Sequence, residues 1–269
     1  MENELKISGL MSIYHGSKSS ELRTCLESIF NQTSFLEELI IVIDGNIPEE
    51  LDVELLHWKK KIKVKRLEHN QGLGRALNEG LKLCSCNYIM RFDSDDVFYP
   101  TRIETQKKYL MNNPNVDILG TWMAEFVNTP NNVVSTRRVP SRDNVRAFAK
   151  FRNPINHISV VFKKDSIDLI GGYDNVLYAE DYHLWLKAIS AGLVIENLPE
   201  ITCAARISED MYKRRSGVAY IKSELKLLLL KKSIYKKLDL VLIFVATILR
   251  ILIRILPGNM ISKIYKIAR

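Results

Sequence analysis

Apolar runs of strand length alternate with stretches of helical periodicity from the amino terminus onward, and few folds accommodate that alternation. The apolar runs are residues 7–14, 39–43, 62–67 and 88–92; residues 19–31, 48–58 and 73–83 carry Leu, Ile and Ala at helical intervals between them. This spacing predicts βαβ units, right-handed crossovers and an α/β fold with a mostly parallel central sheet. In such a sheet ligands bind beyond the carboxyl ends of the strands. The residues to weigh are therefore Tyr14-His15-Gly16, Asp44-Gly45-Asn46, His69 to Gly72, and Asp93-Ser94-Asp95-Asp96.

Past Pro100 the pattern predicts a helix over 101–112, a long strand over 116–127 and a polar turn at 128–132. A strand over 158–162 then leads through Ile170-Gly171-Gly172-Tyr173 to a helix over 179–191 and a strand over 193–196. No linker, internal repeat or low-complexity tract interrupts the chain before about residue 208, so residues 1–210 form one domain and 211–269 a separate helical segment.

Asp93, Asp95 and Asp96 follow a buried strand directly, where like charges repel and lose hydration unless something cationic compensates them. A divalent cation with oxygen ligands that also bridges a diphosphate is one compensator. A solvated acidic turn, or Asp96 capping the helix after Pro100, is the other reading. The run Asn70-Gln71-Gly72-Leu73-Gly74-Arg75 closes a strand and opens a helix, so its glycines permit close backbone approach and the helix start favours an anion. The same run is also compatible with a helix start that binds nothing. Glu180-Asp181 opens a later helix, either as partners of the helix dipole or with one of them as a general base toward a hydroxyl. No Gly-x-Ser-x-Gly, His-Glu-x-x-His or P-loop sequence occurs, which sets aside nucleophilic hydrolases, zinc proteases and P-loop kinases.

The net charge of +8 divides unevenly: residues 211–269 hold 14 of the 39 Lys/Arg and two of the 31 Asp/Glu, giving a tail of +12 and a body of −4. A nucleic-acid partner is not expected of such a body. In the tail, residues 238–249 are almost wholly apolar, but Arg250 and Arg254 make a spanning helix costly. The expectation is an amphipathic segment in a membrane interface, with Lys231, Lys232, Lys236, Lys237 and the two arginines facing anionic headgroups. Packing on the body and a single span are the alternatives. Cys25, Cys84, Cys86 and Cys203 fit neither a disulfide framework nor a zinc site and are expected as buried thiols. The acidic start, Glu2 and Glu4, does not read as a secretory signal.

Taken in order, Met11 to Tyr14, Val42-Ile-Asp44-Gly45, His69 to Gly80, Asp93-Ser-Asp95-Asp96, Gly171-Gly172-Tyr173 and Tyr178-Ala-Glu180-Asp181-Tyr182-His-Leu-Trp185 resemble the family 2 glycosyltransferases of GT-A fold. The likeness is strongest to the bacterial members that build O-antigen and capsule repeat units on a lipid carrier, and it covers about residues 5–215. It implies that Tyr14 and Asp44 hold the uracil and ribose of a UDP-sugar, with Arg75 and the Gly72 turn near the phosphates. It further implies that Asp93 approaches the ribose or sugar, that Asp95 with Asp93 ligates Mn²⁺ or Mg²⁺, and that Asp181 is the catalytic base with Glu180 beside it. The usual Arg-x-His element is here Ala205-Arg206-Ile207-Ser208, without the His, so Arg206, Arg214 or Arg215 is expected against the diphosphate instead. The run Met211 to Gly217 is similar to a stretch of O-antigen galactosyltransferases and points to galactose. Together these features imply an inverting, metal-dependent hexosyltransferase at the cytoplasmic face of a bacterial inner membrane, with a polyprenyl-diphosphate-linked sugar as acceptor. A polyprenyl-phosphate glycosyltransferase and a catalytically silent membrane scaffold are the alternatives. Tyr182 and Trp185 are expected in the core.

Overall fold

The first strand, β1 (Ile7–Tyr14), is buried along nearly its whole length, which is why its sequence shows little polar alternation. There follow α1 (Ser19–Phe30), β2 (Glu38–Asp44), α2 (Glu49–Trp58), β3 (Lys63–Leu67), α3 (Leu73–Leu81) and β4 (Tyr88–Asp93), the predicted alternation. β1 pairs in parallel with β2 and with β4, and β2 in parallel with β3. Successive side chains serve opposite faces: Leu10 joins one apolar layer with Val42, Leu77 and Trp185, and Met11 the other with Ile41, Leu26 and Phe92.

The computed structural model describes residues 5–207 and 218–255. Beyond β4 come β5 (Val97–Phe98), α4 (Arg102–Asn112), β6 (Ile118–Phe126), β7 (Val133–Arg137), α5 (Arg142–Phe148), β8 (Val161–Lys163), α6 (Lys164–Leu169), α7 (Glu180–Ser190) and β9 (Ile195–Arg206). The sheet runs β3-β2-β1-β4-β8-β6-β9-β5, with β7 alongside β6. β8 is antiparallel to β4 and β6, while β6 and β9 are parallel, so the sheet turns mixed where the βαβ pattern stops. The strand expected over 158–162 is shorter: a 3-10 turn, His157–Ser159, precedes β8, and the Ser159 hydroxyl donates to Thr121 O at 3.1 Å and to Asn156 O at 2.8 Å. β9 runs ten residues past the expected end at 196, because Trp122 pairs with Ile201 after a register shift and the ladder resumes beyond Pro199. All four cysteines are free and buried.

The tail folds into α8 (Val218–Ile234) and α9 (Lys237–Ile255). Leu227, Ile234, Tyr235 and Ile243 enter the same apolar layer as Trp185. Lys150 meets Asp239 at 2.7 Å, and Arg146 donates to Ile234 O at 2.7 Å. Two of the cations expected at headgroups point inward instead. Lys231 is 1% exposed, donates to Lys150 O at 2.9 Å and lies over the Tyr182 ring, and Arg250 reaches Glu224 at 3.3 Å. A shared interface with the body outcompetes solvent for these two, whose aliphatic stems complete the packing. The side chain of Arg254, residues 208–217 with Arg214 and Arg215, and residues 256–269 lie outside the described residues.

At the opposite end of the sheet from the strand carboxyl termini, Glu38 ties β1, β2, β3 and the start of β4 together. Burial alone would raise its pKa, but hydrogen bonds from Lys63, Ser8 and Ser85 outweigh it and hold the carboxyl at about 2. The unfolded chain takes up this proton at a higher pH than the folded one. The contribution is therefore complete above the model value of 4.5 and is lost as pH falls through about 2. Lys63 is 66% exposed, so the serine and backbone donors carry more of the effect than the ion pair. Glu38→Gln is expected to cost about 1–3 kcal/mol at neutral pH and to flatten the acid limb of stability between pH ~5 and ~2, read by urea unfolding across pH. An unchanged acid limb would contradict this role.

Candidate active site

β4 delivers the acidic cluster to the carboxyl edge of the sheet. Arg91 and Asp93, two apart on one strand, face the same way, and the wholly buried Arg91 guanidinium donates to Asp93 Oδ1 and to Phe92 O. Arg102, equally buried, donates to Arg91 O at 2.9 Å and sits 4.7 Å from the ring centres of both Phe92 and Phe98. Burial, with Arg91 nearby, brings its pKa down to about 10, so it remains cationic at neutral pH. Part of the compensation that the sequence reading assigned to a metal is thus built into the chain.

Asp96 does not cap the following helix. It accepts the backbone N–H of Arg206 at 2.8 Å, fixing the end of β9 against the acidic turn, and burial raises its pKa well above the usual carboxylate range. Arg206 donates from Nε to Asp95 O at 3.2 Å and from Nη1 to Asn128 O at 2.6 Å, and its guanidinium lies 4.7 Å from the centre of the Phe126 ring. Asp95 keeps an open face toward solvent while protein crowds its other sides. Desolvation, and then the Asp93 charge, raise it to about 6. It receives no side-chain donor among the described residues and is the most solvent-open carboxylate of the turn.

The end of β2 and the start of α3 meet through Asp44, which is 3% exposed. Its two oxygens accept Gln71 N at 2.7 Å and Gly72 N at 2.9 Å, so it organises the turn from within. Gly72 has φ +89°, with open space where a Cβ would sit. A Cβ on Gly74 would lie 3.2 Å from Asp174 O and 3.4 Å from Glu180 Cγ, so this glycine lets α3 approach the start of α7. Asn78 holds the same junction, donating to Tyr173 O at 2.8 Å and accepting Tyr173 N at 2.9 Å. Tyr14, 37% exposed, sits edge-on to His15 at the end of β1. Arg75 lines, with Gln71, Lys82 and Lys164, a cavity of about 640 Å³ along the flank of α3.

α7 opens on Glu180 and Asp181. Burial raises Glu180 to about 7 against hydrogen bonds from the backbone at the helix start, and the Asp181 charge adds to the rise. Asp181 Oδ2 accepts Asn153 Nδ2 at 2.5 Å and Oδ1 accepts Tyr182 N at 2.7 Å, which fixes the carboxylate plane. Tyr182 and Trp185 are core residues, 6% and 0% exposed, as expected. His157 Nε2 and the Tyr173 hydroxyl lie 2.8 Å apart, and the charges of Arg91, Asp93 and Asp181 act on both.

The structure therefore joins Asp44 to the Gly72 turn, sets Glu180 close to that helix start at Gly74, gathers Asp95, Asp96 and Arg206 at the acidic turn, and lets the charges of Asp93, Glu180 and Asp181 act together on Tyr173. No cluster of three His, Cys, Asp or Glu residues among the described ones makes a closed metal cage. The donor set present, Asp95 with the second oxygen of Asp93, instead suits a hard cation that takes its remaining ligands from diphosphate and water. Arg91, Arg102, Asn153 and His157 escaped the sequence reading. Only Arg91 left a signal, a cation two residues before an aspartate on one buried strand.

The sequence profile of Glycosyl transferase family 2 matches residues 10–168. Amylovoran biosynthesis glycosyltransferase AmsE of Erwinia amylovora is 36% identical over 260 residues, which cover 96% of this chain and 97% of that protein. The UDP-Gal:alpha-D-GlcNAc-diphosphoundecaprenol beta-1,3-galactosyltransferase of Escherichia coli is 36% identical over 264 residues, covering 97% and 95%. Among solved structures, Staphylococcus aureus TarS 1-349 superposes with a TM-score of 0.63 at 19% identity, covering 91% of this chain and 71% of that one, and shares the fold.

Proposed function

The chain belongs to glycosyl transferase family 2, and from that premise we propose that it moves a hexose, galactose by preference, from UDP to a polyprenyl-diphosphate-linked sugar with inversion at the anomeric carbon. The observation that supports this reading is that Asp93 of the acidic turn and Asp181 of α7 act on the same pair, His157 and Tyr173, while Asp95 beside Asp93 is open to solvent and Asp181 is held in a fixed plane by Asn153. The E. coli relative named above takes UDP-galactose and a lipid-diphosphate acceptor by its name, and TarS has been solved with UDP-GlcNAc.

In this reading Tyr14 and the turn organised by Asp44 receive the uridine, and the open backbone at Gly72 leaves room for the diphosphate. A divalent cation, Mn²⁺ or Mg²⁺, held by Asp95 and Asp93 would offset charge developing on the departing UDP. Arg206, anchored on the acidic turn, adds a fixed positive charge on that side. Asp181 takes the proton of the acceptor hydroxyl as the new bond forms, and Glu180, partly protonated near neutrality, donates to the acceptor rather than competing as a base. The test is transfer from a panel of UDP-hexoses onto synthetic GlcNAc- and GalNAc-diphosphate lipids. Transfer from UDP-galactose is expected; transfer only to lipid phosphate without a sugar would overturn the acceptor assignment.

The same proposal places the enzyme on an anionic membrane. No helix among the described residues is long and apolar enough to cross one. Leu238, Val241, Leu242, Val245, Leu249 and Leu252 are exposed along one face of α9, and Lys232, Lys236 and Lys237 are exposed at its start. An apolar helix face beside basic residues suits the headgroup boundary. Replacing Leu242 and Val245 together by Glu is expected to reduce flotation with phosphatidylglycerol-containing vesicles by at least ~10-fold, because each apolar side chain contributes about 1.5–3 kcal/mol on burial. Flotation equal to the wild type would remove α9 as the contact.

A further inference from the structure

We propose that His157 contacts the hexose of the donor, its Nδ1 hydrogen-bonding a sugar hydroxyl while Tyr173 holds the ring. The inference rests on the transferase reading and names a residue of the same cleft. His157 begins the 3-10 turn between Asn153, which fixes Asp181, and β8, which pairs with β4 behind the acidic turn. Through Tyr173 the ring is tied to the start of α3, where a Cβ on Gly74 would lie 3.3 Å from Tyr173 Cβ beside the Gly72 turn of the proposed nucleotide side, and through the segment from Asn153 it is tied to Asp181 of the proposed acceptor side. In an in-line displacement the hexose must lie between those two sides, since its anomeric carbon joins the leaving diphosphate to the incoming hydroxyl.

The imidazole is prepared for such a contact. Nε2 is engaged by the Tyr173 hydroxyl at 2.8 Å, and the ring stands edge-on to Trp185 at 6.1 Å. The ring is half-buried, and Nδ1 meets no partner among the described residues. Burial, and then Arg91, lower its pKa to about 4, so the ring is neutral at working pH and carries one N–H and one lone pair. Tyr173 is in turn fixed through its backbone by both ends of the Asn78 amide. A rigid neutral donor or acceptor at a sugar hydroxyl discriminates more strongly than apolar contact, because the wrong sugar leaves it unpaired.

The test is calorimetric titration of the full chain with UDP and with UDP-galactose in Mn²⁺, for wild type, His157→Ala, His157→Asn and His157→Gln. His157→Ala is expected to weaken UDP-galactose by roughly tenfold while leaving UDP unchanged, the cost of one hydrogen bond. Asn keeps a polar group near the Nδ1 position and should recover most of the loss; Gln reaches toward Nε2 and should not. Equal loss for UDP and UDP-galactose, no loss at all, or rescue by Gln in place of Asn would make His157 a packing residue and overturn the proposal. Wild type that binds UDP but gains nothing from the hexose would overturn it as well. Failure of the wild type to bind either nucleotide would instead sink the transferase reading beneath it.

Discussion

Asp181→Asn is expected to lower kcat about 10³-fold, within the range for loss of a general base, while leaving the affinity for UDP-galactose nearly unchanged. The amide is isosteric, so the cleft keeps its shape, but it cannot take a proton from the acceptor hydroxyl. The carboxylate accepts two donors, Asn153 Nδ2 and Tyr182 N, and an amide has one oxygen with which to answer them. One contact is lost, which predicts a modest fall of about 1 kcal/mol in stability. Steady-state kinetics, nucleotide calorimetry and thermal unfolding separate these effects. Near-normal kcat would remove Asp181 from the chemistry, and a collapse of nucleotide binding would make it a structural residue of the α7 start.

The second large effect is expected at Asp95, with opposite signs for function and stability. Asp95→Asn should abolish metal-stimulated nucleotide binding and lower transfer by at least ~10²-fold, the scale on which removal of one electrostatic stabiliser of the leaving group acts. The same change should raise the melting temperature of the metal-free protein. The native state holds the Asp95 carboxyl at about 6, above its ordinary value, through desolvation and the Asp93 charge. At neutral pH it is therefore ionised at a cost, and the open face of the side chain limits that cost to about 1 kcal/mol. The stability gain should vanish below about pH 4, where the carboxyl is protonated in both states. Parallel losses of stability and activity would contradict a site held in reserve for a cation.

Much of this arrangement was legible in the sequence, and the exceptions share a cause. β1, β2 and β4 announced themselves because parallel strands buried on both faces need continuous apolar runs, and the residues weighed for the site follow from where those runs stop. The mixed half of the sheet was harder. β9 reads as broken at Pro199-Glu200, yet the strand resumes because β6 absorbs the interruption in a register shift. Asn153 and His157 carry no local pattern, since their partners Asp181 and Tyr173 are brought by other elements. The tail shows the same limit: its pattern reads as helical, but the inward turn of Arg250 depends on Glu224, a partner in the other helix.

In the proposed mechanism a single base, Asp181, serves one nucleotide-bound carbon, which permits a single displacement and no covalent glycosyl-enzyme. The anomeric configuration of the product tests this directly. The full chain is incubated with α-linked UDP-galactose, GlcNAc-diphosphate lipid and Mn²⁺, and the new linkage is read from its proton coupling by nuclear magnetic resonance. A β-linked product is expected; an α-linked product would contradict the mechanism.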